Sequence, residues 1–320
     1  MIRAGIIGGA GYTAGELLRL LVNHPEVKIL FVHSTSNAGN AVSSIHTSLF
    51  GECDLTFSAE YDLQAIDVLF ICSAHGESGK FLAENEIPEG LRIVDLAQDF
   101  RDESAGFVYG LPELNRERTH GAQRVANPGC FATAIQLALL PLAAKGLLTN
   151  EVHITAITGS TGAGVKPSST THFSWRASNI SVYKSFEHQH LIEISRNIRL
   201  LQPSFDCEMN FVPLRGDFTR GILASVYTDS PLSQEEAEAL YNDYYADAAF
   251  TFVSERNIDL KQVVNSNKAL VHVEKHGSKL HIVTVIDNLL KGASGQAVQN
   301  MNLMFGLDER CGLRLKGSAF

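Results

Sequence analysis

Ile6-Ile7-Gly8-Gly9-Ala10-Gly11-Tyr12-Thr13-Ala14-Gly15 is the stretch that decides the fold. The apolar run Ile2 to Gly8 reads as a strand, and Ala14 to Asn23 spaces its apolar residues as an amphipathic helix does, so the glycines fall at a strand-to-helix turn. Glycine there permits a tight turn and lets backbone N–H groups approach a pyrophosphate, whose charge the helix N-terminus favours. A glycine-rich turn with no ligand is the plainer alternative. The strand before it and the helix after it supply the context that a dinucleotide fingerprint requires.

Outward from that turn the first third keeps alternating. Val27 to His33, Val68 to Cys72 and Leu91 to Leu96 read as strands, with a helix around Lys80, a rhythm that predicts a parallel sheet with crossover helices. A Pro-Gly break at Pro128 and Gly129 then opens an apolar helix, Phe131 to Lys145. Beyond it Val152 to Thr158, Glu208 to Leu214, Gly221 to Tyr227, Leu270 to Lys275 and Leu280 to Asp287 are β-rich, and His276-Gly277-Ser278 joins the last two as a hairpin. Ser233 and Glu236 form a capping box for a helix that places Leu240, Tyr241 and Tyr244 on one side. Gly292 to Phe305 reads as an apolar helix. The expected fold class is therefore α/β: an N-terminal Rossmann-type parallel-sheet domain plus a C-terminal α+β domain with a mixed or antiparallel sheet, and a C-terminal helix returning to the first domain. The expected division is 1–129 with 296–320 for dinucleotide binding, and 130–295 for catalysis, substrate and dimerisation.

Composition narrows the function classes. A 320-residue chain with 45% hydrophobic residues can bury two cores. Its net charge of -9 is spread over interspersed acids and bases with no basic stripe, which argues against nucleic acid. No run approaches the apolar length of a membrane helix and no charged-then-apolar leader opens the chain, so the reading is a cytoplasmic protein without a membrane. Five unevenly spaced cysteines fit neither a disulfide framework nor a CxxC metal site.

One cysteine stands apart. Asn127-Pro128-Gly129-Cys130 immediately precedes a helix, where the partial positive charge of the N-terminus stabilises a thiolate, the nucleophilic form. Cys53, Cys72, Cys207 and Cys311 have no such setting and read as small buried hydrophobes. A thiolate needs a proton partner, and Tyr183-Lys184-Ser185-Phe186-Glu187-His188-Gln189-His190 offers two histidines ahead of a helical stretch. No third ligand at zinc spacing accompanies them, so acid–base work is expected in place of a metal. Arg101, just past the last strand of the first domain, has the paired N–H groups that hold phosphate. Two more glycine-rich segments, Thr158 to Lys166 and Asn288 to Gln296, follow strands and let a ligand touch backbone. The end of the second strand reads His33-Ser34-Thr35-Ser36-Asn37. It carries no carboxylate to repel a 2′-phosphate, and Ser36 and Asn37 are donors suited to one, so NADP is expected over NAD.

Taken in order, these pieces resemble the N-acetyl-gamma-glutamyl-phosphate reductase family, relatives of aspartate-semialdehyde dehydrogenase. The resemblance rests on Gly8 to Gly15, the Asn-Pro-Gly-Cys at Cys130, Ser160 to Gly164, His188-Gln189-His190, Arg220-Gly221 and Asp287 to Gln296, and runs the full chain. It implies an arginine-biosynthesis enzyme that reduces N-acetyl-gamma-glutamyl phosphate with NADPH to the 5-semialdehyde and phosphate, through a thioester on Cys130. His190 is then the general acid/base, with His188 as the alternative. Gly8, Gly11, Tyr12 and Thr13 would wrap the pyrophosphate, Ser36 and Asn37 would face the adenosine end, and the loop containing His75 would close over the cofactor, with Asn288 and Gln296 completing the site. Arg101, Ser160, Gly162 and Tyr183 would serve the substrate, and the subunits would form a homodimer or homotetramer.

The sequence departs from the family in one informative place. The familiar His-Arg-His is His188-Gln189-His190, which removes a fixed positive charge beside the substrate and leaves an N-succinyl substrate as the alternative to N-acetyl. A rival from another class is a non-catalytic NADP-binding sensor with an inert Cys130.

Overall fold

The computed structural model describes residues 1–318 and divides them into two compact units, Met1–Pro128 with Ala293–Arg314, and Gly129–Gly292 with 315–318. The first unit holds one parallel sheet of seven strands: β1 (Ile2–Ile7), β2 (Val27–His33), β3 (Phe57–Ser58), β4 (Val68–Ile71), β5 (Arg92–Asp95), β6 (Val108–Tyr109) and β7 (Arg124–Ala126), in the order β3-β2-β1-β4-β5-β7-β6. All four residues of β4 are buried, as expected of a strand covered on both faces. α1 (Tyr12–Leu21) buries Ala14, Leu17, Leu18, Leu20 and Leu21. It begins two residues earlier than the apolar pattern alone implies, because the glycine turn already has helical geometry from Tyr12. α2 (Glu77–Glu84) follows β4, and α3 (Pro112–Thr119) follows β6. The strand order reverses between β1 and β4, and such a switch point opens a crevice at the strands' carboxyl ends.

The second unit opens with α4 (Cys130–Ala144), whose residues from Phe131 to Ala143 are all buried. Its sheet is mixed: β8 (Val152–Thr158), β9 (Ser181–Val182), β10 (Met209–Arg215), β11 (Ile222–Asp229), β12 (Thr251–Val253), β13 (Ala269–His276) and β14 (Lys279–Ile286), in the order β12-β13-β14-β11-β8-β10-β9. β8 and β10 run parallel, while β11 is antiparallel to both β8 and β14. Between β8 and β11 lie α5 (Phe173–Arg176) and α6 (His190–Leu201), and α7 (Gln234–Tyr245) follows β11. α4 packs across β11 and β14 with α6 and α7 beside it. That face takes Val152, Ile154, Ala156, Ala224 and Val226, the buried half of a period-2 pattern.

Pro141 sits inside α4 and has no N–H for the carbonyl of Leu137. The Tyr245 hydroxyl donates to that carbonyl at 2.6 Å, and Tyr241 donates to Ala138 at 2.5 Å. The helix that carries Cys130 is thereby stitched to α7. The stripe that does this is Ala237, Tyr241 and Tyr245. Of the Leu240, Tyr241 and Tyr244 expected on one side, Tyr241 lies in this stripe, and Leu240 and Tyr244 lie one position off the i, i+4 line. The capping box is present, with Ser233 Oγ accepting from the Glu236 N–H and Glu236 accepting from the Ser233 N–H.

The chain re-enters the first unit at α8 (Gly295–Met304), buried along its whole length against α1 and α3. Its amides explain how a helix this polar is buried: Asn300 donates to Gly110 and Asn127, and Asn302 to Glu309 and Cys311. After Arg314 the chain lies with the second unit, where Ser318 donates to Val264. The expectation that 315–320 belongs with the first domain thus meets a tail hydrogen-bonded elsewhere. Its last two residues lie outside the described residues. Among the described residues no helix is long and apolar enough to cross a membrane.

Candidate active site

At the switch point of the first unit, the β1–α1 turn forms one wall of a cleft of about 590 Å³. Gly8 has φ +77°, and a Cβ there would stand 2.8 Å from the Cys72 carbonyl. Glycine is required twice over, by conformation and by space. A Cβ on Gly11 would meet only the Gly8 oxygen at 3.9 Å, so its face is open to a ligand. Gly8, Gly11 and Ser36 line the cleft together with Ser34, Ser73 and Tyr61. The side-chain amide of Asn37 donates to the Ser34 and Ser36 hydroxyl oxygens, which leaves those hydroxyl protons for an acceptor outside. Burial holds the His33 imidazole below its usual pKa. Ser73 Oγ is buried and has no hydrogen-bond partner among the described residues. An open glycine wall, an orphan hydroxyl and a run of hydroxyl donors fit a phosphorylated dinucleotide.

Other residues expected here are not among those that line the cleft. Tyr12 and Thr13 form the first turn of α1, with the Thr13 carbonyl held by Ser294 Oγ at 2.7 Å. His75 Nδ1 accepts from the Gln98 N–H, and Asp99 accepts from the N–H groups of Gly76 and Gly79, which pins the loop before α2. Gln296 is fully buried in α8. Arg101 is buried too: Nε donates to the Asn127 carbonyl at 3.0 Å, bracing the turn that leads to Cys130. Burial pushes the Cys72 thiol up to about 12, which leaves it an inert hydrophobe as its sequence setting suggested.

In the second unit Cys130 is the first residue of α4, after the N-cap Gly129. The positive end of the helix dipole at that first turn favours a thiolate. His190 opens α6, and the two helices pack against each other, which brings chemistry 60 residues apart in sequence into one cluster. The His188 and His190 rings are 4.6 Å apart, Phe131 stacks edge-on to both, and Tyr183 packs edge-on to His188 at 5.8 Å. His188 Nδ1 accepts from the His190 backbone N–H at 3.2 Å, so it orients the start of α6. Tyr183 is pushed up to about 12 by burial and then by the charge of Cys130.

Glu193, Asp287 and Gly292, to which the sequence assigned no individual role, shape this cluster. Glu193, buried in the first turn of α6, accepts from the Gly129 N–H at 3.2 Å and ties the two helix starts together. Asp287 is fully buried, takes a bidentate pair from Arg220 at 3.0 and 3.1 Å, and accepts from the N–H groups of Leu289, Leu290 and Asn265. It anchors the π-helical turn Leu290–Ser294, on which Gly292 lies against Cys130. Asn288, expected at the cofactor, has its amide engaged: Oδ1 accepts from Gly221 and Nδ2 donates to Thr161. It thereby fixes the loop of Ser160 and Gly162, whose backbone is also bonded to Phe218 and Thr219.

A Cβ on Gly292 would lie 2.8 Å from Cys130 Cβ and 3.2 Å from its Cα. Gly292→Ala is expected to displace the sulfur and lower kcat by about 10²-fold. Steady-state kinetics check this, and an unaltered kcat would contradict it.

Burial first, and then the positive charges of Lys184 and Arg215, hold His188 down to about 4 from its ordinary 6.5. The unfolded chain therefore takes up a proton between pH 6.5 and 4 that the folded chain refuses. Stability is fully present above about 6.5 and falls by about 3 kcal/mol as pH drops toward 4. His188→Asn should flatten that part of the profile in urea unfolding at pH 7 and pH 4.5. Equal slopes for both proteins would contradict it.

The comparisons with known proteins follow the same division. The profile described as semialdehyde dehydrogenase, NAD binding domain, matches residues 3–122, and that described as semialdehyde dehydrogenase, dimerisation domain, matches residues 130–288. The chain is 61% identical to an N-acetyl-gamma-glutamyl-phosphate reductase of Bacteroides fragilis and 62% identical to one of Azobacteroides pseudotrichonymphae, with 100% of each chain covered in both cases. Among solved structures, aspartate semialdehyde dehydrogenase II of Vibrio cholerae superposes with TM-score 0.74 at 17% identity, over 96% of this chain and 98% of that one. The aspartate semialdehyde dehydrogenase of Candida albicans, solved with NADP, gives TM-score 0.70 at 13% identity over 95% and 98%. Those two likenesses concern the fold.

Proposed function

The chain belongs to the N-acetyl-gamma-glutamyl-phosphate reductase family, built from semialdehyde dehydrogenase domains, and we propose that it carries out that reaction in arginine biosynthesis: NADPH-dependent reduction of N-acetyl-gamma-glutamyl phosphate to N-acetyl-glutamate 5-semialdehyde and phosphate. The single observation that carries the reading is Cys130 at the head of α4 with His188 and His190 gathered at the head of α6. A sensor would have no use for that arrangement. The relatives bear the N-acetyl name, so the N-succinyl substrate is not favoured.

Cys130 Sγ attacks the acyl carbonyl, a C–S bond forms, and the C–O bond to phosphate breaks with the electron pair leaving on phosphate. NADPH, when bound, supplies the hydride that reduces the resulting thioester. The N–H groups at the start of α4 stabilise the oxyanion. The C–S bond then breaks to release aldehyde, and His190 manages the proton at sulfur while His188, neutral at physiological pH, holds the His190 backbone. Gly8, Gly11, Tyr12 and Thr13 hold the pyrophosphate, and Ser36 and Asn37 the 2′-phosphate end, with His75, Asn288 and Gln296 positioning the loops around the cofactor. Ser160, Gly162 and Tyr183 are assigned to the substrate, while Arg101, expected there too, is assigned to bracing the turn before Cys130. The protein works in the cytoplasm with its thiols reduced.

The test is phosphate-dependent reduction of NADP by purified protein given N-acetyl-glutamate semialdehyde. Turnover supports the reading. No turnover, with a folded protein, would overturn it.

The dimerisation domain implies self-association. We assign it to the face of the mixed sheet opposite α4, where Tyr227, 41% exposed, stacks on His153, and His281 and Glu274 lie alongside. A homodimer across this face is the simplest closed form, and a homotetramer would pair two of them. Tyr227→Asp is expected to move the protein to monomer in size-exclusion chromatography at micromolar concentration. An unchanged elution volume would contradict that.

A further inference from the structure

The reaction just proposed handles a substrate with a free α-carboxylate as well as a phosphate, so the cationic side chains of the second unit can be sorted by what already holds them. Arg220 is committed to Asp287 through two hydrogen bonds. Arg176 is buried, and although its Nε has no partner among the described residues, both terminal nitrogens are spent on the carbonyls of Asn179, Arg215 and Thr170 and on Ser181 Oγ. Lys184 donates to Gln189 Oε1. Arg215 is different. It ends β10, with Ser181 of β9 and Thr158 of β8 as register partners. Its guanidinium lies 4.6 Å over the Tyr183 ring, and its Nε is buried with no hydrogen-bond partner among the described residues. No carboxylate lies within ion-pair distance of it among those residues.

A half-buried guanidinium with an orphan donor is costly unless something anionic completes it. The groups around it are those of the reactive cluster. Its charge acts on Tyr183 and His188, and Tyr183 in turn responds to Cys130. Tyr183 is thus the common neighbour of the sulfur and the guanidinium. On the substrate, phosphate leaves from the carbon that sulfur attacks, whereas the α-carboxylate carbon lies four carbons farther along. We infer that Arg215 is a specificity-determining residue that receives the α-carboxylate of the substrate, presented across Tyr183 from Cys130. The planar fork of arginine suits a carboxylate, and the Tyr183 face holds it in place when no substrate is bound.

This rests on the reaction proposed above, and the test separates the two. Full-length protein is assayed in the oxidative direction with N-acetyl-glutamate semialdehyde and with its decarboxylated counterpart, 4-acetamidobutanal, each at varied phosphate. The wild-type protein should prefer the carboxylated aldehyde. Arg215→Met should lower that preference in kcat/KM by about 10- to 100-fold, chiefly through KM for the carboxylated aldehyde. Arg215→Lys should restore part of it, as a point charge without the fork. The inference is overturned if both aldehydes lose equally, which marks a structural role, or if KM for phosphate rises while the preference holds, which marks a phosphate contact. Turnover of neither aldehyde by wild-type protein would remove the reaction itself, and the inference with it.

Discussion

Cys130→Ser is expected to abolish turnover, by roughly 10⁴-fold or more, because a hydroxyl at neutral pH is almost wholly protonated and no second nucleophile takes its place. The substitution removes little volume and leaves the N-cap Gly129 and the first turn of α4 as they are, so the protein should remain folded. Titration with NADP, followed by fluorescence or calorimetry, should give an affinity within a few-fold of wild type. Loss of catalysis with cofactor binding retained is the expected pair of results. Near-normal turnover would remove Cys130 from the mechanism.

His190→Asn is expected to lower kcat by about 10²- to 10⁴-fold, the range for loss of a positioned acid or base. Asparagine keeps a hydrogen-bonding group at the start of α6 but cannot exchange a proton. The rate of Cys130 alkylation by iodoacetamide should fall more sharply at pH 7 than at pH 9, where the thiol ionises without help. His188→Asn provides the contrast. His188 acts through the His190 backbone, so its loss should be smaller and should retain the pH dependence of kcat. A larger loss for His188→Asn than for His190→Asn would exchange their roles.

How much of this was legible beforehand depended on whether the signal was local. The glycine turn at Gly8 and Gly11, the Ser233–Glu236 cap and the Gly277-Ser278 hairpin are written in neighbouring residues, and each has its physical cause within a few positions. Cys130 was visible for the same reason, since Pro128 and Gly129 mark the helix start. Short strands such as β3, β6 and β9 have only two residues each and carry no periodicity to find. α8 was legible as a returning helix, but the partners of its buried amides were not: the carbonyls of Gly110, Glu309 and Cys311 that receive Asn300 and Asn302 lie outside the helix.

The site shows the same limit more sharply. Glu193, Gly292 and Arg215 matter through contacts with Gly129, Cys130 and Tyr183, all of them distant in sequence. Nothing in their own neighbourhoods announces this. Arg101 illustrates the converse. Its position at the edge of the sheet suggested an open guanidinium, but two backbone carbonyls hold it. Arg220, which the sequence offers only as part of a family motif, is held by Asp287, 67 residues on and just past the end of β14.

The most direct test of the account is to catch the acyl-enzyme. Protein mixed with N-acetyl-gamma-glutamyl phosphate in the absence of NADPH, quenched in acid and examined by intact and peptide mass spectrometry, should carry one N-acetylglutamyl group, on Cys130, labile to hydroxylamine and discharged when NADPH is added before the quench. An unmodified Cys130 in protein that nonetheless turns over, or the acyl group on another residue, would contradict it.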